Sequence, residues 1–217
     1  MGARARGFAN GLSSGGKLLP SVITNTNIAN FTSSPSGLAS AGSMTKLTHA
    51  DVSGETTIDF SFTGTYKEYM FVASNCRPSA TSEPDFKFNC SSDGTNFNLA
   101  AQSSVNRTGS SSSQELHQIY NLPGHAGSTT GMFWGFDMEG ANQADTAGSM
   151  VLHIYDPHST GIGTSFIYES CAVHDAVRAD HYRVGGYWET TAALTKIRFF
   201  RDTGTYTDGL ITMYGLS

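Results

Sequence analysis

From residue 56 onward, apolar and polar side chains alternate with a period of two. Ile58, Phe60 and Phe62 take turns with Thr57, Asp59 and Ser61, the pattern of a strand with one face buried and one in water. Tyr69, Phe71 and Ala73 continue it, and Phe86 and Phe88 alternate with Asp85, Lys87 and Asn89 before Ser92-Asp93-Gly94-Thr95. That Asp-Gly pair supplies the positive-φ positions a tight reversal needs. Further strands are expected at 97–105, 114–120, 130–138, 148–155, 164–173, 181–190, 195–201 and 208–216. Residues 106–113, with Asn-Arg-Thr-Gly and four serines, read as a mobile loop, and a short helix is expected around Asp175–Arg178. About ten short strands without any helical period predict an all-β fold, a two-sheet antiparallel β-sandwich of jelly-roll-like character.

Upstream the pattern stops. Residues 1–46 carry no sustained period, Gly7, Gly11, Gly15 and Gly16 interrupt any helix, and isolated apolar residues are strung between polar ones. Such a segment either stays disordered or lies extended with its apolar side chains against a partner. We take it as an extended basic anchoring arm. Its expected contacts are Arg4, Arg6, Phe8, Leu12, Lys17, Leu18, Leu19, Val22 and Ile23, with residues 47–217 as the sandwich domain.

Charge sharpens that division. The first carboxylate is Asp51; before it lie four cations (Arg4, Arg6, Lys17, Lys46) and no acid, and after it nine cations face all 18 acids. The two parts therefore carry +4 and −9, and the whole 217-residue chain −5. Only 14% of residues are charged, against a usual value of about 25%, so Ser, Thr and Asn carry most of the surface polarity. Helical bundles, whose outer faces need Glu and Lys, do not read this way. No run approaches the roughly 18 apolar residues of a membrane span, and no signal peptide or myristoylation site is recognisable at the start. The sequons at Asn30, Asn89 and Asn106 read as chance matches in a Ser/Thr-rich chain. Cys76, Cys90 and Cys171 are an odd set without C-x-x-C spacing, expected as buried free thiols, and nothing indicates a Cys76–Cys90 bridge.

Several segments resemble a recurring small β-sandwich module in virion proteins of tailed bacteriophages. They are Tyr66-Lys-Glu-Tyr69, Asn75-Cys-Arg-Pro78, the turn Ser92-Asp-Gly-Thr-Asn-Phe97 after strand 85–91, Leu152-His-Ile-Tyr-Asp-Pro157, Ile197-Arg-Phe-Phe200 and the ending Gly209-Leu-Ile-Thr-Met-Tyr-Gly-Leu216. The resemblance spans roughly residues 50–217 and its motifs are structural. The arm, Gly7-Phe-Ala-Asn-Gly-Leu-Ser-Ser-Gly-Gly-Lys17, is similar to segments by which such proteins attach to particles. The resemblance implies a tail-fibre, tail-tip or capsid-decoration subunit, commonly a homotrimer, whose partners are itself and the capsid or tail proteins, and no enzyme activity.

Candidate chemistry is sparse. His153, Asp156 and His158 form one group, and His174, Asp175 and His181 another, but neither has the spacing of a zinc site, and no metal or cofactor is expected. No nucleophile elbow and no phosphate-binding loop occurs. Asp137 and Glu139 are the nearest carboxylate pair for a glycan hydrolase and read first as a charged strand end. Four cations without interleaved aromatics, in a chain of pI about 5.7, argue against nucleic acid. A host-surface glycan is the alternative ligand, with Trp134, Trp188, Tyr182, Tyr187, Tyr206 and Tyr214 as candidate stacking platforms.

Overall fold

The computed structural model describes residues 13–14, 17–18, 44–64, 66–79, 86–111, 115–120, 126–135, 147–174, 178–201 and 203–217. The chain divides between Ala41 and Gly42 into two units. In the first, Ser13–Ser14 (β1) pairs antiparallel with Lys17–Leu18 (β2).

The second unit is an antiparallel β-sandwich. Among the described residues its large sheet has nine strands, ordered β3 (Met44–Asp51), β15 (Tyr206–Leu216), β5 (Glu68–Pro78), β11 (Gly148–Tyr155), β12 (Ser165–His174), β13 (Arg178–Trp188), β7 (Ala101–Ser111) and β8 (Glu115–Tyr120), with β9 (Ala126–Ser128) also on β7. The small sheet has four, ordered β10 (Met132–Gly135), β6 (Phe86–Ser91), β14 (Lys196–Arg201) and β4 (Thr57–Ser61). Period-two alternation supplies each inward row: Ile58 and Phe60 on β4, Ile197 and Phe199 on β14, Met150, Leu152 and Ile154 on β11 are buried. Aromatic rings fill the space between the sheets, most of them meeting edge to face. Phe88 meets Phe166, Tyr168, Trp188 and Phe199 with centroids 5.4 to 6.2 Å apart, within the range where aromatic pairs add to simple burial.

Glycines make room at two close approaches. A Cβ on Gly209, whose φ is +127°, would lie 2.7 Å from the Cys76 Cα, so no side chain fits there. At Gly215 the ring of Tyr66 sits directly on the backbone, and a Cβ would come within 2.5 Å of it. The Tyr-Gly-Leu ending and the Tyr66-Lys-Glu-Tyr69 segment are thus one packing unit.

Four expectations are corrected. Met44–Lys46, read as the end of the arm, belong to the edge strand β3 and pair with Tyr214–Leu216. Residues 106–111, read as part of a loop, are the second half of β7. They pair with β13 on one side and β8 on the other, and Arg107 turns inward to Asp180 at 2.5 Å. Backbone pairing on both edges outweighs a Ser/Gly composition, and Gly109 leaves the space Asp180 occupies. Residues 97–100, expected as strand, are irregular. Arg178, placed in a short helix, is a strand residue opposite His174 and Ser111, whereas residues 175–177 lie outside the described residues.

Candidate functional site on the open face of the large sheet

The two sheets differ in what lies on their outer faces. On the small sheet, all of β6 is buried, including Lys87 and Asn89 on its outward side. Asn89, 1% exposed, donates from Nδ2 to the carbonyls of Phe97, Leu99 and Thr129 at 3.2 to 3.3 Å. Its Oδ1 accepts from the Cys90 amide at 2.8 Å and the Trp188 indole N–H at 3.1 Å. The 92–100 segment thereby lies across the sheet, with the Arg198 guanidinium 4.0 Å over the Phe97 ring. Asp93 fixes its first turn by accepting the amides of Thr95 and Asn96 at 2.8 Å, which holds its carboxyl well below the ordinary range.

The large sheet leaves its outer face in water. Register places Met70, His153, Ile167, Gly185 and Ser104 side by side across five strands. The next row is Val72, Val151, Glu169, Arg183 and Asn106, and on the other side runs Glu68, Tyr155, Ser165, Tyr187 and Gln102. Ile167 is 50% exposed, Tyr187 46% and Val151 37%. Glu169 Oε1 accepts from Arg183 Nε at 2.7 Å between them. Two shallow grooves flank that pair. One of about 290 Å³ runs past Val72, Val151 and Cys171, and one of about 430 Å³ past Ile167, Arg183 and Gly185. A Cβ on Gly185 would meet nothing within 4 Å.

One end of this face is polar. Antiparallel pairing of β5 with β11 brings Tyr66-Lys-Glu-Tyr69 against Leu152-His-Ile-Tyr-Asp-Pro157. Glu68 Oε1 lies 2.5 Å from His153 Nδ1, and the His153 ring stacks on Tyr155 at 6.3 Å and 16°. Burial, and then the Glu68 charge, push the Tyr155 phenol up. Lys67 pairs with Asp156 at 3.1 Å. The Tyr69 hydroxyl donates to the Thr63 carbonyl at 2.7 Å and lies 3.1 Å from His158 Nε2. Gly64, Tyr66, Lys67, Asp156 and His158 line a pocket of about 250 Å³ there.

The sequence candidates therefore scatter. Arg4, Arg6, Phe8, Leu12, Leu19, Val22 and Ile23 lie outside the described residues, as do Asp137, Glu139 and Asp175; Lys17 and Leu18 form β2. Of the expected stacking platforms, Trp188, Tyr182 and Tyr206 are corrected to core residues, because each falls on an inward position of its strand. Tyr187 is on the open face, Tyr214 is half-buried, and Trp134 is a β10 residue. His153, Asp156 and His158 each take a different partner, and His181 borders the groove beside Cys171. Among the described residues no three His, Cys, Asp or Glu side chains converge as a metal requires, and no helix is long and apolar enough to cross a membrane. All three cysteines are free; burial pushes the Cys76 thiol up to about 12 and that of Cys90 well above its ordinary value. Cys171 is corrected to an exposed residue, since it shares the outward row of β12 with Ile167 and Glu169. Sequence reading missed Asn89, which looks like any polar residue on the wet side of a strand. No family model, curated protein or solved structure matches the chain.

Proposed function

We propose that this chain is a non-enzymatic structural subunit of a bacteriophage particle, a capsid decoration or short tail-fibre or tail-tip protein. In this reading residues 1–41 attach to a capsid or tail surface, and the sandwich associates with further copies of itself, as a trimer in the resembled proteins. The observation that carries the self-association is the open face of the large sheet, where Ile167, Tyr187 and Val151 are left in water around the Glu169–Arg183 pair. Exposed apolar side chains gathered on one sheet face are the mark of an interaction surface. Attachment rests on the resemblance of the arm and on physical grounds: separated apolar side chains anchor weakly one at a time and firmly when an oligomer presents several arms together.

The test is removal of residues 2–41 in the infectious particle. We expect a folded, soluble body that no longer incorporates. Normal incorporation of the shortened protein would overturn the anchoring role. A second reading, recognition of a host-surface glycan, draws on the row in which Tyr155 and Tyr187 flank Ser165, with Glu68 and Gln102 at its ends. Flat rings with hydrogen-bonding neighbours suit a sugar. Binding on a glycan array that Tyr187→Ala abolishes would favour it over a purely structural role.

A further inference from the structure

Two arginines of β14 lie three residues apart and face opposite ways. Arg198 points outward and donates from Nε and Nη2 to the two carboxylate oxygens of Asp59, at 2.7 and 2.8 Å. Arg201 follows Ile197 and Phe199 on the inward row and is only 5% exposed. Its Nη1 donates to the Thr205 carbonyl. The guanidinium carbon lies 5.4 Å from the Phe86 ring and 5.8 Å from the Tyr206 ring, and these two rings stack on each other at 5.2 Å. Among the described residues, Arg201 Nε and Nη2, the donor pair that Arg198 uses on Asp59, have no partner, and neither has the buried Tyr206 hydroxyl. Buried donors left unmade are rare in folded proteins, and a buried cation without a counter-charge is rarer. Burial also pushes the Arg201 guanidinium down from its ordinary range.

We propose that the Nε–Nη2 edge of Arg201 is a receptor for one carboxylate, held side-on beside the stacked Phe86 and Tyr206 rings. Two parallel N–H donors match the two oxygens of a planar anion. A single negative charge balances the single cation, whereas a phosphate dianion would leave a net charge buried among rings. Side chains of the protein itself and separate molecules such as an acidic peptide or a sugar acid present the same group. The site stands apart from the open face and does not depend on its role.

The test reads the arginine Nε–H resonances of the 15N-labelled full-length protein, titrated with sodium acetate against sodium chloride at equal ionic strength. Arg201→Lys assigns the Arg201 signal where that variant folds, and Arg201→Gln does so otherwise. An exchangeable site gives a saturable downfield shift of Arg201 with acetate and none for Arg198, together with a rise in Tm that chloride does not produce. An internal carboxylate gives an Arg201 signal already downfield and insensitive to acetate, which returns upfield in one of Glu83→Gln, Asp85→Asn or Asp202→Asn, the acids nearest in sequence to Arg201 and its strand partner Phe86. An Arg201 signal at the position of exposed arginines, moved by neither acetate nor these substitutions, overturns the proposal.

Discussion

The outer faces of the two sheets differ in residue type and in how the chain treats them. On the small sheet the chain folds the 92–100 segment over β6, where Asn89 holds it through the carbonyls of Phe97 and Leu99. On the large sheet, Ile167, Tyr187 and Val151 stay in contact with water. The chain covers the polar outer row of β6, whereas the apolar side chains on the outer face of the large sheet are left without cover among the described residues. Those exposed apolar side chains are what the proposed self-association rests on.

Substitutions on the two sides should separate sharply. The largest effect is expected between the sheets: Phe88→Ala removes the ring that meets four others and should lower stability by about 3–5 kcal/mol, measured by urea denaturation. Asn89→Ala should follow at about 2–3 kcal/mol, because the Trp188 N–H, the Cys90 amide and three carbonyls lose their partner together. A loss under about 0.5 kcal/mol would mean that the covering segment is not fastened by this residue. Acid should act on the covered side as well. The Asp93 carboxyl is depressed in the folded state, so its stabilisation is complete above the ordinary value of 3.8 and fades as pH falls from there toward the folded value. Asp93→Asn should lower stability at neutral pH, where the ionised carboxylate contributes in full, and flatten the acid limb of the profile so that the two proteins converge below about pH 4. The smallest change in stability, within about 0.5 kcal/mol, is expected for Ile167→Arg on the open face. Sedimentation velocity should nonetheless show that variant as a smaller species than the parent. Equal oligomeric states for the two would remove the open face from self-association.

Much of the sandwich was legible because alternation is a direct image of a half-buried strand. The β4, β11 and β14 patterns fell where the apolar periods put them. β3 escaped, since as an edge strand lying mostly in water it shows no alternation of burial. The second half of β7 escaped because serines and glycine carry no apolar signal, while the pairing that orders them comes from β13, some 70 residues away in sequence. Trp188 shows the limit at the candidate site. Its aromatic character was plain, but which face it took depended on the register of β13 against β12 and on Gly186, where a Cβ would strike the Phe166 ring. The donor edge of Arg201 was invisible for the same reason: its inward orientation, and its lack of a partner among the described residues, exist only in the fold.

Cys171 turns the open face into something that can be watched. Cys76 and Cys90 are enclosed and their thiolates strongly disfavoured, so a maleimide dye added to the native protein at neutral pH should report on one sulfur alone. That sulfur borders the groove beside Val151 and His181. Its labelling rate therefore reads directly how open the outer face of the large sheet is to solvent, and a fall in that rate as subunit concentration rises is the outcome the proposed self-association expects.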